Sequence, residues 1–151
     1  MKLWRIAHRD HALDKVCAGA ALYGGRWNPI GVPALYCGGS IAITSLEKLV
    51  HLGTAPSPPL MLVAVDLPDA CAVFEPDPAD FPAGWDALPV STGAQAFGGA
   101  WLRRGDTLAM KVPSVIVPEE ANFVINPRHP EYPQVQLTAV RPFAFGRRLL
   151  K

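Results

Sequence analysis

The sequence predicts a single α+β domain with a mostly antiparallel sheet and a few helices. Half of the 151 residues are hydrophobic and 18% are charged, which is typical of a folded domain with one core. Apolar segments with strand character outnumber the segments with helical periodicity. Few of these strands are separated by a full helical crossover, which argues against a doubly wound parallel sheet. We therefore expect one domain over residues 1–151.

The predicted strands are short apolar or alternating segments. They cover residues 3–7, 34–37, 60–67, 71–74, 108–117 with a break at Pro113-Ser114, 122–127 and 135–145. A helix is predicted over 41–52, because Ser40 is a good N-cap, Gly53 a good terminator, and the apolar positions between them recur at helical spacing. Ser91 begins a second predicted helix to about residue 104, in which Gly98-Gly99 weakens the helix or permits close packing. Residues 75–89 carry four prolines and predict an irregular connection.

The charge pattern and the cysteines exclude several functions. The net charge is +1 and no basic run exceeds two residues, which argues against direct nucleic-acid binding. The three cysteines form no C-x-x-C pair, so we expect reduced thiols and a cytoplasmic protein. The first residues lack the apolar core of a signal peptide, and no apolar run suits a membrane span. His8 and His11 lack further ligands nearby, so no metal site is predicted.

The segment Gly24-Gly25-Arg26-Trp27-Asn28 is the most informative part of the sequence. It places a permanent cation, an indole and an amide side by side, after glycines that allow close approach of the backbone. Tyr36 follows on a short predicted strand. Glu47 lies beside the apolar stripe of the 41–52 helix, so its carboxylate is expected at the edge of the core. A cation, aromatic faces and a carboxylate suit the binding of a dinucleotide and cleavage of its glycosidic bond.

Each of these residues also has a plainer interpretation. Arg26 could be a surface arginine in a glycine turn, Tyr36 a core tyrosine and Glu47 a solvated helix residue. Ser114 could sit at an ordinary strand irregularity, and Asn122 could serve a turn. The glycines match neither a P-loop nor a Rossmann fingerprint, and no G-x-S-x-G segment is present.

Taken together, the segments resemble the RES domain, the toxin half of a bacterial toxin–antitoxin family named for its Arg, Glu and Ser. The matching pieces occur in the family's order over nearly the whole chain: Gly-Gly-Arg26-Trp-Asn, Ala-Leu-Tyr36, Ser-Leu-Glu47, Val-Pro-Ser114 and residues 120–127. The resemblance implies an ADP-ribosyltransferase-like fold and NAD⁺ as substrate, with no prosthetic group. It also implies a cognate antitoxin with a helix-turn-helix region.

The resemblance also assigns roles to residues. Arg26 would hold the pyrophosphate, Tyr36 would pack on the nicotinamide or ribose, and Glu47 would stabilise the oxocarbenium-like state. Ser114 and Asn122 would orient the ribose or the backbone around it. The predicted catalytic residues are Arg26, Glu47 and Ser114, and the predicted substrate-binding residues are Trp27, Asn28, Tyr36 and Asn122.

The resemblance thus predicts an enzyme: a toxin that arrests growth by cleaving the nicotinamide–ribose bond of NAD⁺, through hydrolysis or phosphorolysis. The alternative is a toxin that ADP-ribosylates a protein. Such transferases often carry a second acidic residue shortly before the catalytic glutamate, whereas Thr44, Ser45 and Leu46 precede Glu47 here. A non-catalytic module that binds a nucleotide or a partner is a third reading, against which the retained Arg, Glu and Ser argue.

Overall fold

The computed structural model describes residues 1–150, which form a seven-stranded mixed sheet with three α-helices. The strands are β1 (Lys2–His8), β2 (Leu35–Gly38), β3 (Leu60–Asp66), β4 (Val73–Phe74), β5 (Ala109–Pro113), β6 (Ala121–Ile125) and β7 (Gln136–Phe143). The helices are α1 (Ala18–Tyr23), α2 (Ile41–Leu52) and α3 (Thr92–Arg104), with short 3-10 helices at Arg9–His11, Pro78–Asp80 and Tyr132–Gln134. None of the described helices has the length and apolar character needed to cross a membrane.

The strands follow the order β4-β5-β6-β2-β1-β3-β7. Only the short β4 pairs in parallel, with β5, and every other neighbouring pair is antiparallel. The predicted α+β class with a mostly antiparallel sheet is therefore confirmed.

The two predicted helices have the predicted ends. The hydroxyl of Ser40 accepts a hydrogen bond from the backbone N–H of Ile43, and α2 ends at Gly53. Ser91 caps α3 in the same way, and α3 ends at Gly105. The sequence analysis missed α1, which spans only six residues and starts after Cys17 without a side-chain cap. The strand predicted over 108–117 stops at Pro113, because the chain turns at Ser114.

The surroundings of Gly98 show whether the glycine pair in α3 weakens the helix or permits close packing. A Cβ at this position would lie 2.0 Å from the carbonyl oxygen of Trp27. The glycine therefore permits close packing of α3 against the segment that contains Arg26.

The sheet separates between β1 and β2, and this separation positions the site. β1 pairs with β3 along its whole length, but it meets β2 only at Trp4 and Gly38. A cavity of about 920 Å³ opens where the two strands diverge, and both strands line it. Helix α2 packs over the same region, since the Thr44 hydroxyl lies 3.4 Å from the carbonyl oxygen of Trp4.

Candidate active site

The cavity brings together five of the seven predicted site residues from separate parts of the chain. Its volume lies at the upper end of the roughly 300–1,000 Å³ common for ligand pockets. It is lined by Arg26, Trp27, Tyr36, Glu47 and Asn122, among others. Ser114 stands directly behind Glu47, and Asn28 behind Tyr36.

Glu47 is held by two side chains through a single oxygen. The hydroxyl of Ser114 donates to Glu47 Oε1 at 2.7 Å, and Nδ2 of Asn122 donates to the same oxygen at 2.6 Å. The Ser114 oxygen also accepts hydrogen bonds from the backbone N–H groups of Ile116 and Val117, at 3.0 and 3.2 Å. Because these N–H groups occupy its lone pairs, the Ser114 proton is directed to Glu47.

This arrangement leaves the second carboxylate oxygen available. Oε2 of Glu47 has no hydrogen-bond partner among residues 1–150, and the side chain lines the cavity. Such an oxygen can accept a hydrogen bond from a ligand hydroxyl. The carboxylate charge, already fixed in place, can stabilise a cation that develops nearby. Ser114 is fully buried and acts through Glu47, so its geometry is that of a positioning residue.

Tyr36 is fixed by the segment that follows Arg26. Its hydroxyl donates to Oδ1 of Asn28 at 2.5 Å and accepts from the backbone N–H of Trp27 at 3.1 Å. Burial raises the pKa of Tyr36, so the hydroxyl stays protonated and remains a donor. The ring, which lines the cavity, is thereby held against one wall.

Asn28 is fully buried, and its side-chain amide is hydrogen-bonded within the protein. Its Nδ2 donates to the carbonyl oxygens of Ala20 and Val32, each at 2.9 Å, while Oδ1 accepts from Tyr36. Direct contact with a substrate stays a prediction for Asn28. The geometry shows instead how it holds Tyr36.

Gly25 makes room for this contact. A Cβ at Gly25 would lie 2.7 Å from both Asn28 Oδ1 and the Tyr36 hydroxyl oxygen. Such separations are shorter than real Cβ contacts. The close approach expected of the glycine pair is thus used here within the protein.

Arg26 is held by backbone carbonyls of the proline-rich connection. Its Nη1 donates to the carbonyl oxygens of Trp85 at 2.7 Å and Ala87 at 3.0 Å. Nη2 and Nε have no hydrogen-bond partner among residues 1–150, and the side chain lines the cavity. Sequence reasoning missed this anchor, because a backbone carbonyl is present at every residue and leaves no signal in the sequence.

Trp27 belongs to an aromatic cluster. Its ring lies 5.4 Å from Phe81, 5.8 Å from Trp85 and 6.0 Å from Phe97, measured between ring centroids. Only 3% of the residue is exposed. Most of its indole therefore packs against protein, and a role in substrate binding stays a prediction.

Two thiols line the cavity, but neither is prepared to act as a nucleophile. Burial raises the pKa of Cys37 to about 12 and also raises the pKa of Cys17. The thiolate is the reactive form, so both groups remain neutral at ordinary pH. Within residues 1–150, no three metal-ligating side chains cluster at a possible metal site.

Comparison with known proteins identifies the family to which the chain belongs. The RES domain model matches residues 2–146. The chain is 38% identical to the Prs ADP-ribosylating toxin of Sphingobium sp. (strain YBL2), over 98% of this chain and 96% of that protein. It is 35% identical to Toxin Res of Yersinia enterocolitica, over 99% of each. The crystal structure of the M. tuberculosis MbcT–MbcA toxin–antitoxin complex superposes with a TM-score of 0.74 at 21% identity, covering 94% of this chain and 83% of that one.

The architecture is an α+β domain with a mixed sheet, and it shares its fold with a chain of that toxin–antitoxin complex. The family match and the relatives then give a narrower answer: the chain belongs to the RES domain family of toxins. The expected family and fold are therefore confirmed.

Proposed function

We propose that this toxin is an enzyme that cleaves the nicotinamide–ribose bond of NAD⁺ and so arrests cell growth. The observation that carries the proposal is the state of Glu47. Its Oε1 is held by Ser114 and Asn122, while Oε2 has no protein partner and the side chain lines the cavity. The carboxylate is thus oriented before any ligand arrives, which is the condition for strong electrostatic stabilisation of a transition state.

The chemistry uses this carboxylate as an electrostatic stabiliser. When the bond between C1′ and the pyridinium nitrogen breaks, its electron pair goes to the ring and nicotinamide leaves as a neutral molecule. Positive charge then develops on the ribose, as in glycoside hydrolysis. Oε2 of Glu47 accepts a hydrogen bond from a ribose hydroxyl and stabilises that charge. The acceptor oxygen adds to C1′ and loses its proton.

We place water or phosphate ahead of a protein as the acceptor. The residue types before Glu47 carry no second carboxylate, and their hydroxyls are already used. Thr44 donates to the carbonyl of Ser40 and Ser45 to that of Ile41, each at 2.7 Å. Neither proton is free to be donated to an acceptor side chain, and Ser45 does not line the cavity. The second candidate, ADP-ribosylation of a protein, is favoured by the printed name of the Sphingobium relative.

We propose that a cognate antitoxin with a helix-turn-helix region neutralises the toxin by covering the cavity. We place this complex in the cytoplasm and propose that this chain itself contacts neither nucleic acid nor membrane. Exposed apolar side chains at the cavity, Tyr23 and Leu88, support such a contact. The complex is expected to bind NAD⁺ far more weakly than the free toxin. Equal affinities by calorimetry would eliminate occlusion.

Mass spectrometry of the products formed from NAD⁺, with and without phosphate, tests the enzymatic proposal. The pure protein should release nicotinamide, and the second product should be ADP-ribose in water or its 1-phosphate with phosphate. Glu47→Gln should lower kcat by about 10²–10³-fold because the stabilising charge is lost, with binding retained. Glu119→Gln, at an exposed glutamate outside the cavity, is the matched control and should keep full activity. Nicotinamide release by Glu47→Gln at the parent rate would contradict the role of Glu47.

A further inference from the structure

The cavity carries cationic side chains beyond Arg26. Arg5 on β1 and Lys48 on α2 line it. No role for Arg5 or Lys48 follows from the motifs considered above.

Arg5 presents a charge that no carboxylate neutralises directly. Its Nη1 donates to the carbonyl oxygens of Ala12 at 3.3 Å and Asp14 at 3.2 Å. The carboxylate of Asp14 is occupied elsewhere, since it accepts hydrogen bonds from the backbone N–H groups of Val16 and Ala18. The guanidinium is thus fixed at the cavity wall with its charge intact.

Lys48 is a half-buried cation without a partner. Its ammonium forms no hydrogen bond or ion pair with any of residues 1–150, unlike Lys111, which pairs with Glu75. Burial, and then the neighbouring charge of Arg5, lower the pKa of Lys48. The carboxylates of Asp14 and Glu47 line the same cavity, but neither forms an ion pair with Arg5 or Lys48 among residues 1–150. Two like charges that lack a counterion in one partly buried lining favour the binding of an anionic ligand.

Arg26 has only part of its guanidinium free for a ligand. One of its two terminal nitrogens is already used by Trp85 and Ala87. The pyrophosphate of NAD⁺ has two charged phosphates, and the free nitrogens of Arg26 suit one of them. Lys48 lines the same cavity as Glu47, and the pyrophosphate is attached to the same ribose on which Glu47 is proposed to act.

We propose that Lys48, supported by Arg5, binds one phosphate of the substrate pyrophosphate while Arg26 binds the other. This inference rests on the proposed function, because it takes NAD⁺ as the ligand of the cavity. It makes Lys48 a substrate-binding residue that selects dinucleotides over nucleosides.

Calorimetry with ADP-ribose tests this directly, since ADP-ribose contains the pyrophosphate and cannot release nicotinamide. Lys48→Met keeps the aliphatic stem and removes the charge. It should weaken ADP-ribose binding by about 10-fold or more, the loss expected for a charge-assisted hydrogen bond. Lys48→Arg should restore most of the affinity, and adenosine should bind both variants and the parent equally. Lys111→Met is the matched control and should bind ADP-ribose like the parent, because Lys111 does not line the cavity.

Steady-state kinetics with NAD⁺ separates binding from a structural effect. Lys48→Met should raise KM about 10-fold and change kcat less than about 3-fold, with an unchanged melting temperature. Unchanged ADP-ribose affinity in Lys48→Met would overturn the inference. The inference would also be overturned if Lys48→Met bound ADP-ribose like the parent and lost only the stimulation of NAD⁺ cleavage by added inorganic phosphate. Lys48 would then bind free phosphate and not the pyrophosphate of the substrate.

The same measurements distinguish the two proposals. If the parent protein binds ADP-ribose but releases no nicotinamide from NAD⁺, the proposed function fails, and Lys48→Met still decides the role of Lys48. If the parent releases nicotinamide from NAD⁺ and Lys48→Met binds ADP-ribose like the parent, the proposed function stands and the role of Lys48 fails.

Discussion

The two charged groups of the cavity are anchored in different ways. Glu47 is held by side chains, a serine hydroxyl just beyond β5 and an asparagine amide on β6. Arg26 is held by backbone carbonyls of an irregular, proline-rich segment. The carboxylate is thus fixed by the regular framework of the sheet and α2, whereas the position of the guanidinium depends on a loop.

Because the two groups are anchored differently, we expect changes around Glu47 (the Glu47 side) and changes around Arg26 (the Arg26 side) to have different kinetic effects. Changes around Glu47 should act on the chemical step, since they alter the charge that we propose stabilises the ribose cation. Changes around Arg26 should act on substrate binding and on the order of the 85–87 segment. The predictions below test this division from the largest expected effect to the smallest.

Removing both anchors of Glu47 should have the largest effect. Ser114→Ala with Asn122→Ala leaves the carboxylate unoriented, and we expect kcat to fall about 10²-fold with a small change in KM. Each single change should cost less, and the two losses should not add, because both donors meet the same oxygen. Ser57→Ala removes an exposed hydroxyl and serves as the control. A double variant that loses substrate affinity and keeps its kcat would refute the division.

Gly25→Ala should have the next largest effect and should act on the Arg26 side. The added methyl would meet Asn28 and Tyr36 at 2.7 Å, so one of them must move. Overpacking of this kind costs about 1–3 kcal/mol, and thermal unfolding should show a lower melting temperature. Gly19→Ala is the matched control, because a Cβ there meets nothing within 4 Å and alanine favours the helix. Equal stability of the two variants would show that the Tyr36–Asn28 contact adapts freely.

The site residues were named from the family resemblance, and their roles remain predictions. The sequence patterns themselves predicted the fold class and both long helices with their caps. These succeed because strand alternation, helical spacing and capping are local properties of the sequence. Three features could not be predicted. Helix α1 has no capping signal, the anchor of Arg26 consists of backbone carbonyls some 60 residues away, and the poor pairing of β1 with β2 depends on tertiary packing.

The roles inside the predicted set also depend on tertiary structure. Sequence reasoning expected Ser114 and Asn28 to contact the substrate or the backbone around it, yet both are fully buried. Their partners, Glu47 and Tyr36, lie 67 and 8 residues away along the chain. Only packing can show that a polar residue near a site supports another residue, so direct substrate contact remains a prediction for both.

Arg26→Ala should raise KM for NAD⁺ about 10-fold, the loss expected for one charge-assisted contact, and change kcat less than about 3-fold. It should also release the 85–87 segment, because both of its carbonyl contacts are lost. Acrylamide should then quench tryptophan fluorescence more strongly, since Trp85 becomes more accessible. Arg147→Ala, at an exposed arginine outside the cavity, should change neither quantity. A variant with normal KM and a large loss of kcat would place Arg26 in the chemical step instead.

Tyr36→Phe should have the smallest effect, since the ring that lines the cavity remains. The change leaves Asn28 Oδ1 without its donor and the N–H of Trp27 without its acceptor, which should cost about 1 kcal/mol of stability. Because the hydroxyl is occupied inside the protein, kcat and KM should both stay within about 3-fold of the parent. Tyr132→Phe is the control, because it removes a tyrosine hydroxyl that donates to the carbonyl of Lys15 and does not line the cavity. A large loss of kcat in Tyr36→Phe alone would show that the hydroxyl leaves Asn28 when substrate binds, and the Arg26 side would then also take part in the chemistry.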